Sequence, residues 1–252
     1  LTNFESRATI DVDFLLRGYS NSMDDVKDLI CKIIDTPTGN DYIEMRAKCF
    51  EEISSQRKYH GISTQIIAQI KNVRVPFNVD IGVGDIIVPR AEERTINTQL
   101  PDFEAPVIKT YSLESTIAEK FDAILQRFEL TGRMKDFYDI YYLSRTFDFE
   151  GAKLQAAIFE TLQRRGTPYD RDSFKRVVAL ADDEDMQKRW KFFLKTIKDN
   201  TLEFSVVIAE IQTFLEPVFD AIANEGEWQN IWKSNAKKWS NLKGGIDRDK
   251  SS

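Results

Sequence analysis

The sequence predicts a mixed α/β fold of the α+β type, in which a mixed sheet with flanking helices precedes an all-helical C-terminal domain. Between Ala8 and Val83, four stretches have the pattern of strands and one has that of an amphipathic helix. From Leu113 onward, apolar residues recur every three or four positions, as in amphipathic helices. The length of 252 residues suffices for two domains. We place them at 1–111 and 112–243, followed by a flexible tail over 244–252.

The first predicted elements are a strand and a helix. β-branched residues and a period of two predict a strand over Ala8–Arg17. Because this segment runs into Phe14-Leu15-Leu16, we expect a central, packed strand. Ser22 is a suitable N-cap for a helix over Met23–Asp35, whose apolar residues share one face.

Three more strands are predicted over Tyr42–Ser54, Ile62–Ile70 and Val75–Val83. The short intervals between them favour an antiparallel meander, with Pro76 at a strand start or edge. Pro89–Pro106 is polar and interrupted by prolines, which predicts a loop with little regular structure.

The C-terminal half contains seven helical patterns. They cover Leu113–Phe128, Met134–Thr146, Phe149–Arg164, Asp172–Leu180, Asp185–Lys198, Thr201–Ala223 and Glu227–Trp239.

Composition excludes several classes of protein. No apolar run approaches the roughly 18 residues of a membrane span, and the first residues do not resemble a signal peptide. Cys31 and Cys49 are expected to be reduced thiols. The single histidine, His60, lies in a predicted turn, which argues against Ser-His-Asp catalysis and a His-rich zinc site. The net charge of −6 still permits a local basic groove.

Three acids in the predicted strands are candidate metal ligands. Asp11 and Asp13, two positions apart, point to one face of a strand about 6.6 Å apart, at ~3.3 Å per residue. Asp80 is a third acid within an apolar alternation. Carboxylates so placed suit a two-metal site for in-line displacement at phosphorus. For the Asp-x-Asp pair alone, a solvated strand face is the alternative.

The helical half has a second set of candidates. Lys120 flanks a buried helix face, where a lysine can direct its ammonium toward an anion such as a triphosphate or simply reach solvent. Asp136 and Asp139 are neighbours on the next helix. The alternative is that Asp139 pairs with Lys135, while Asp136 lies in the first helical turn, where the helix dipole favours acids.

Four motifs, taken in order, resemble the AbiEii/AbiGii toxin family. They are Arg7-x-Thr9-x-Asp11-x-Asp13, Val79-Asp80-Ile81-Gly82, Leu113-Glu114 with Ala118-Glu119-Lys120-Phe121, and Arg133-x-Lys135-Asp136-x-Tyr138-Asp139. The resemblance, from Arg7 to Leu143, implies a nucleotidyltransferase-like sheet and a toxin of a toxin–antitoxin or abortive-infection system in the bacterial or archaeal cytoplasm. Such toxins transfer a nucleoside monophosphate from a nucleoside triphosphate, and some modify the 3′ end of tRNA. The implied partners are the triphosphate, an RNA acceptor and a cognate antitoxin, with no membrane.

The resemblance also assigns roles. Asp11, Asp13 and Asp80 match metal-binding acids, which implies two Mg²⁺ ions. Lys120 matches the lysine that holds the nucleotide, and Asp136 an acid that acts as a base or an orienting group. Arg7 and Arg133 are expected to contact phosphates. The helical domain is expected to complete the active site.

One departure from the family concerns a glycine-rich turn about ten residues before the Asp-x-Asp motif. Only six residues precede Arg7, and none is glycine. Because the chain opens without methionine, we expect an upstream segment that contains this turn.

Two stretches of basic and aromatic residues, Lys188–Lys195 and Trp232–Trp239, are candidate RNA contacts or ordinary helix faces. Two other functions remain open. One is a non-catalytic module that binds a nucleotide or partner, and the other is a metal-dependent nuclease with the same acids.

Overall fold

The computed structural model describes residues 11–20, 22–37, 42–53, 61–83, 90–98 and 103–241. These residues form two compact units, one within 11–83 and the other within 90–241. Arg7, His60 and the tail over 244–252 lie outside the described residues. The predicted mixed α/β class is confirmed, with sheets and seven α-helices in the described part of the chain. None of these helices is long and apolar enough to cross a lipid bilayer.

The first unit is a four-stranded sheet with one helix. Strand β1 is parallel to β4, while β2, β3 and β4 form the predicted antiparallel meander, in the order β1-β4-β3-β2. The bounds are β1 Val12–Leu16, α1 Met23–Ile34, β2 Glu44–Ile53, β3 Gly61–Ile70 and β4 Val73–Val83.

Helix α1 begins where the sequence predicts. The Ser22 hydroxyl accepts a hydrogen bond from the Asp25 amide at 3.1 Å, which satisfies one of the four amides left without helical partners. Val26 and Ile30 then pack against Ile62 and Ile66 of β3, together with Val79 and Ile81 of β4. One face of the sheet is therefore apolar and covered by α1.

The prediction that β1 is central and packed is wrong. Within the described residues, β1 is the last strand in the sheet order, and Val12 and Phe14 are 42% and 54% exposed. Only Leu16 packs against the core under α1. The apolar residues of this strand therefore do not imply burial on both faces. Asp11 and Asp13 lie on the face opposite α1.

Pro76 lies at a strand edge, as predicted. It is inside β4 and opposite Ile67 of β3, but β1 pairs only with Val79–Val83. Among the described residues, the other side of β4 is thus unpaired at Pro76. Proline has no amide hydrogen for a strand ladder, so this position tolerates it.

The segment Pro89–Pro106 contains more regular structure than predicted. In the second unit, β5 (Glu92–Thr95) pairs antiparallel with β6 (Val107–Thr110). The Thr110 hydroxyl also donates to the Glu92 carbonyl at 3.3 Å. Because the two strands are short, charged and mostly exposed, they lack the alternation by which strands are recognised.

Six helices make up most of the second unit and match their predicted positions within a few residues. They surround one aromatic core, in which the rings of Phe121, Phe174 and Phe219 lie within 5.8 Å of one another. The bounds are α2 Leu113–Arg127, α3 Met134–Thr146, α4 Gly151–Arg165, α5 Ser173–Ala179, α6 Glu184–Thr196 and α7 Phe204–Ala223.

The predicted helix over Glu227–Trp239 is wrong. The segment forms a hairpin of β8 (Ile231–Lys233) and β9 (Lys238–Ser240), which pairs with β7 (Phe149–Glu150). Trp232 is fully buried, and its Nε1 donates to the Ser144 carbonyl at 2.6 Å. Tertiary burial of tryptophan, with Lys237 at φ +50°, overrides the helical spacing of the aromatic residues.

Candidate functional site

The predicted metal ligands share one face of the first unit's sheet. Asp13 of β1 is in parallel register with Asp80 of β4, so both side chains point to the same side. Asp11 precedes Asp13 by two positions and faces the same way. This acidic face is opposite the one covered by α1, because Val79 and Ile81 on either side of Asp80 belong to that core.

Two neutral side chains orient the acids. Ser63, opposite Asp80 in β3, donates its hydroxyl to Asp80 Oδ1 at 2.6 Å. Asn78 Nδ2 donates to Asp11 Oδ1 at 3.1 Å. Asp11 and Asp13 are exposed and Asp80 is half-buried. The carboxylates therefore stand on a face that solvent can reach and that hydrogen bonds partly order.

The acidic face has the chemistry of a magnesium site, although its three acids do not converge. Mg²⁺ prefers carboxylate oxygens together with water and phosphate oxygens, and it needs only one or two protein carboxylates. Asp13 and Asp80, partners on adjacent strands, are the two acids that could supply such ligands. Within the described residues, no three acids, histidines or cysteines are arranged to hold a metal ion. Asp11 turns toward Asn78 instead.

In the second unit, Lys120 lies between two carboxylates. Its Nζ is 2.7 Å from Asp139 Oδ2 and 3.7 Å from Asp136 Oδ1. Helix α2 supplies the lysine, and α3 packs against it to supply both acids. The ammonium is thus fixed by charge-assisted bonds, with 19% of the side chain exposed. Asp139 pairs with Lys120 and not with Lys135, the partner considered from sequence.

Arg133 completes this group, which we call the lysine cluster: Lys120, Arg133, Asp136 and Asp139. Arg133 Nε donates to Asp136 Oδ2 at 2.6 Å, and its Nη2 lies 3.4 Å from Oδ1. The Asp136 side chain is only 1% exposed, so both of its oxygens are engaged in a buried setting. Asp136 also lies in the first turn of α3, where the helix dipole stabilises a negative charge.

The lysine cluster is connected to helix α6. Arg133 donates its backbone amide to Thr131 Oγ1 at 3.1 Å, and the Thr131 carbonyl accepts from Arg189 Nη1 at 2.9 Å. Thr131 is 1% exposed. The turn before α3 is therefore held by two hydrogen bonds at Thr131, one to its hydroxyl and one to its carbonyl.

Two groups on α2 and α3 have shifted pKa values. Burial raises the pKa of Glu114 in the first turn of α2, and the negative charge of Glu92 adds to this effect. Burial also raises the pKa of the Tyr138 phenol, helped by the charges of Asp199 and Asp139. Tyr138 lines a shallow pocket of about 430 Å³ with Tyr141, Asp199 and Leu202.

The two basic and aromatic stretches differ in exposure. In the first stretch, Trp190 is 1% exposed and belongs to the core, while Phe192 is 72% exposed. In the second, Trp232 is buried and Trp239 Nε1 donates to the Phe214 carbonyl at 3.0 Å. The aromatic rings of the second stretch are therefore structural.

The sequence predicts the acids and Lys120 but misses the residues that orient them. Ser63 and Asn78 become visible only through strand register, since nothing in their local sequence marks them. The pairing of Asp139 with Lys120 depends on the contact between α2 and α3. Lys120 and Asp139 are 19 residues apart on different helices, and this spacing does not predict an ion pair.

Of three comparisons with known proteins, the one with family models agrees with the resemblance. A model of the family described as nucleotidyl transferase AbiEii toxin, Type IV TA system, matches residues 2–225. A comparison with curated proteins finds no match. Among solved structures, JHP933 from Helicobacter pylori aligns with a TM-score of 0.43 and 12% identity, over 88% of this chain and 80% of that one. A proposed H. pylori nucleotidyltransferase aligns with a TM-score of 0.42 and 11% identity, over 88% and 83%.

The family match covers well over half of the sequence and includes every described motif on which the resemblance was based. Such toxins use a nucleoside triphosphate and are produced with a cognate antitoxin. The chain belongs to the nucleotidyl transferase AbiEii toxin family of type IV toxin–antitoxin systems.

Proposed function

We propose that this chain is a metal-dependent nucleotidyltransferase that moves a nucleoside monophosphate from a nucleoside triphosphate to an RNA acceptor, with the 3′ end of tRNA as the expected target. The observation that carries the proposal is the register of Asp13 with Asp80 on one exposed sheet face. A cognate antitoxin is expected to limit the activity in the cell.

The acidic face supplies the metal ligands. Asp13 and Asp80 would hold Mg²⁺, and Asp11 would join them if its bond to Asn78 opened. When bound, the metal would offset phosphate charge during in-line displacement. Ser63 keeps the Asp80 carboxylate oriented through its 2.6 Å bond. Helix α1 covers the opposite face of the sheet, so the α1 core does not block the acidic face.

The lysine cluster supplies positive charge for phosphates. Lys120 and Arg133 are its two cations, and Asp136 contacts both. Because both oxygens of Asp136 are engaged and the side chain is buried, we assign it an orienting role and not that of a general base. In the reaction, the acceptor oxygen bonds to the α-phosphorus while the bond to pyrophosphate breaks.

The test uses the full chain, Mg²⁺, each α-labelled nucleoside triphosphate in turn and total bacterial RNA. We expect label in RNA with one triphosphate and its loss in Asp13→Asn and Asp80→Asn, because a neutral amide is a poor ligand for a hard cation. Asp28→Asn is the matched control, since Asp28 is an exposed acid on α1 outside the acidic face. Full activity in both site variants would refute the assignment.

The same experiment separates the other functions. RNA that is cleaved without added triphosphate would indicate a nuclease. No labelling, together with no magnesium-dependent triphosphate binding in calorimetry, would indicate a non-catalytic binding module.

A further inference from the structure

Helix α6 presents an exposed aromatic ring among lysines. Phe192 is 72% exposed, and Lys188 and Lys195 are its helical neighbours four positions before and three after. Lys191 precedes it directly, and all three lysines are exposed. We call these four residues the α6 face.

The packing of α6 does not require Phe192. Met186, Trp190 and Leu194 fill the inner side of the helix, each at most 4% exposed. The Trp190 ring lies 5.3 Å from the rings of both Phe193 and Phe204. An aromatic ring left in solvent forgoes the stabilisation of burial, so the fold does not explain Phe192.

The charges of the α6 face are unevenly neutralised. Lys188 pairs with Asp185 at 3.1 Å and with Glu184 at 3.9 Å. Lys191 and Lys195 have no ion-pair partner anywhere in the described ranges. They are four residues apart, or ~6 Å along the helix axis. The helix dipole favours Lys195 in the last turn, but it does not account for an exposed ring beside these two cations.

The α6 face belongs to the same framework as the lysine cluster. Arg189, one turn before Phe192, bonds the Thr131 carbonyl, and Thr131 Oγ1 accepts from Arg133. Tyr138 of α3, next to Asp139, also packs against the ring of Phe193 at 5.8 Å. A single-stranded ligand bound along α6 would therefore contact a helix that hydrogen bonds connect to the lysine cluster.

We propose that the α6 face binds a single-stranded segment of the RNA acceptor, with Phe192 stacked on one base and Lys191 and Lys195 paired with phosphates. The inference rests on the proposed function, which requires an acceptor strand. Single-stranded RNA offers both bare base faces and phosphates, the two groups that an exposed ring and adjacent lysines recognise. An acidic protein segment would satisfy the lysines but would leave the ring without a stacking partner.

The experiment measures fluorescence anisotropy of a labelled, unstructured oligoadenylate with the full chain and no triphosphate, over a series of salt concentrations. We expect Phe192→Ala to weaken binding roughly tenfold, the effect of one lost base stack. Phe192→Trp should restore it and Phe192→Leu should not, because leucine is apolar but cannot stack. The double variant Lys191→Gln with Lys195→Gln should lower the salt slope by about 1.4, for two phosphate contacts to a single strand.

Phe159→Ala, at a 41% exposed ring on α4, is the control and should bind like the unchanged chain. Equal affinity of Phe192→Ala and the unchanged chain would overturn the proposal, as would Phe192→Leu binding as well as Phe192→Trp. Asp13→Asn should bind the RNA normally while losing transfer. RNA binding that depends on Phe192 in a chain without transferase activity would thus refute the proposed function alone.

Discussion

Asp136 shows how one buried side chain organises a group of charges. Its two oxygens contact Arg133 at 2.6 Å and Lys120 at 3.7 Å, and only 1% of the side chain is exposed. A buried carboxylate is tolerated only when it is paired. Arg133 reaches both oxygens, and Lys120 is a second cation beside Oδ1. Both cations therefore offset the buried negative charge of Asp136.

Substitution of Lys120 tests its contribution to this group of charges. Lys120→Met removes the 2.7 Å bond to Asp139 and one of the two cations at Asp136. We expect the free energy of unfolding to fall by roughly 1–3 kcal/mol, the cost of leaving a buried acceptor with too few partners. Nucleotide transfer should be lost even at temperatures where the variant is folded.

Lys135→Met is the matched control, because Lys135 is an exposed lysine on α3 beside the cluster. It should change the free energy of unfolding by less than about 0.5 kcal/mol. Urea unfolding and the transfer assay check both variants. Equal losses in the two would contradict the role given to Lys120.

Among the elements, those with local signals were predictable. The Ser22 cap and the apolar face of α1 suffice for its bounds, and the meander follows from the turn at Lys71-Asn72. The hairpin of β8 and β9 was not predictable from periodicity, since Trp228, Trp232 and Trp239 are spaced as on a helix. Its conformation depends on distant partners such as Ser144 and Phe214.

Asp148 fixes this hairpin to the segment before β7. It accepts from Lys233 Nζ at 2.8 Å and from the Ser234 amide at 2.9 Å. The hydrogen bond from Lys233, followed by that from Ser234, lowers the pKa of Asp148 from its usual 3.8. A carboxyl whose pKa is lowered on folding stabilises the fold above its unfolded pKa, and this stabilisation is lost as pH falls through its folded pKa.

We therefore expect Asp148→Asn to flatten the decline in stability below about pH 4, where the unfolded state begins to protonate this group. Unfolding temperatures measured across an acidic pH series will check this. Because Asp148 is about half exposed, the effect should be small and should decrease with added salt. Parallel pH profiles for the two chains would show that the bond does not contribute.

At the scale of the whole molecule, burial is concentrated in two separate cores. One lies between α1 and the apolar face of the first sheet, and the other fills the space among the helices of the second unit. Phe219 of α7 is central to the latter, since its ring meets those of Phe121, Tyr169 and Phe174 within 5.8 Å.

Phe219→Ala should lower the free energy of unfolding by about 3–5 kcal/mol, through lost burial and the cavity that remains. The same change at Phe159, which is 41% exposed, should cost far less. Denaturant unfolding of both variants is the measurement. Similar losses would mean that the ring contacts of Phe219 contribute little.

The order of four motifs along the chain was enough to predict the family, because the acids and Lys120 occur in a distinctive sequence. The orientation of the acids was not predictable, since it depends on Ser63 and Asn78, whose register comes from strand pairing. The exposure of Phe14 was also missed, because an apolar residue in an edge strand looks the same in sequence as one in a central strand.

The unpaired stretch of β4 has a consequence for self-association. Between Val73 and Asn78, no described strand covers one side of β4, and Val73 and Val75 are 62% and 53% exposed. An apolar strand edge of this kind is a template for another chain and a starting point for aggregation. Pro76 in the middle of the stretch leaves such a partner without one backbone donor. Pro76, which the unpaired side of β4 tolerates, thereby also lowers the tendency of this edge to aggregate.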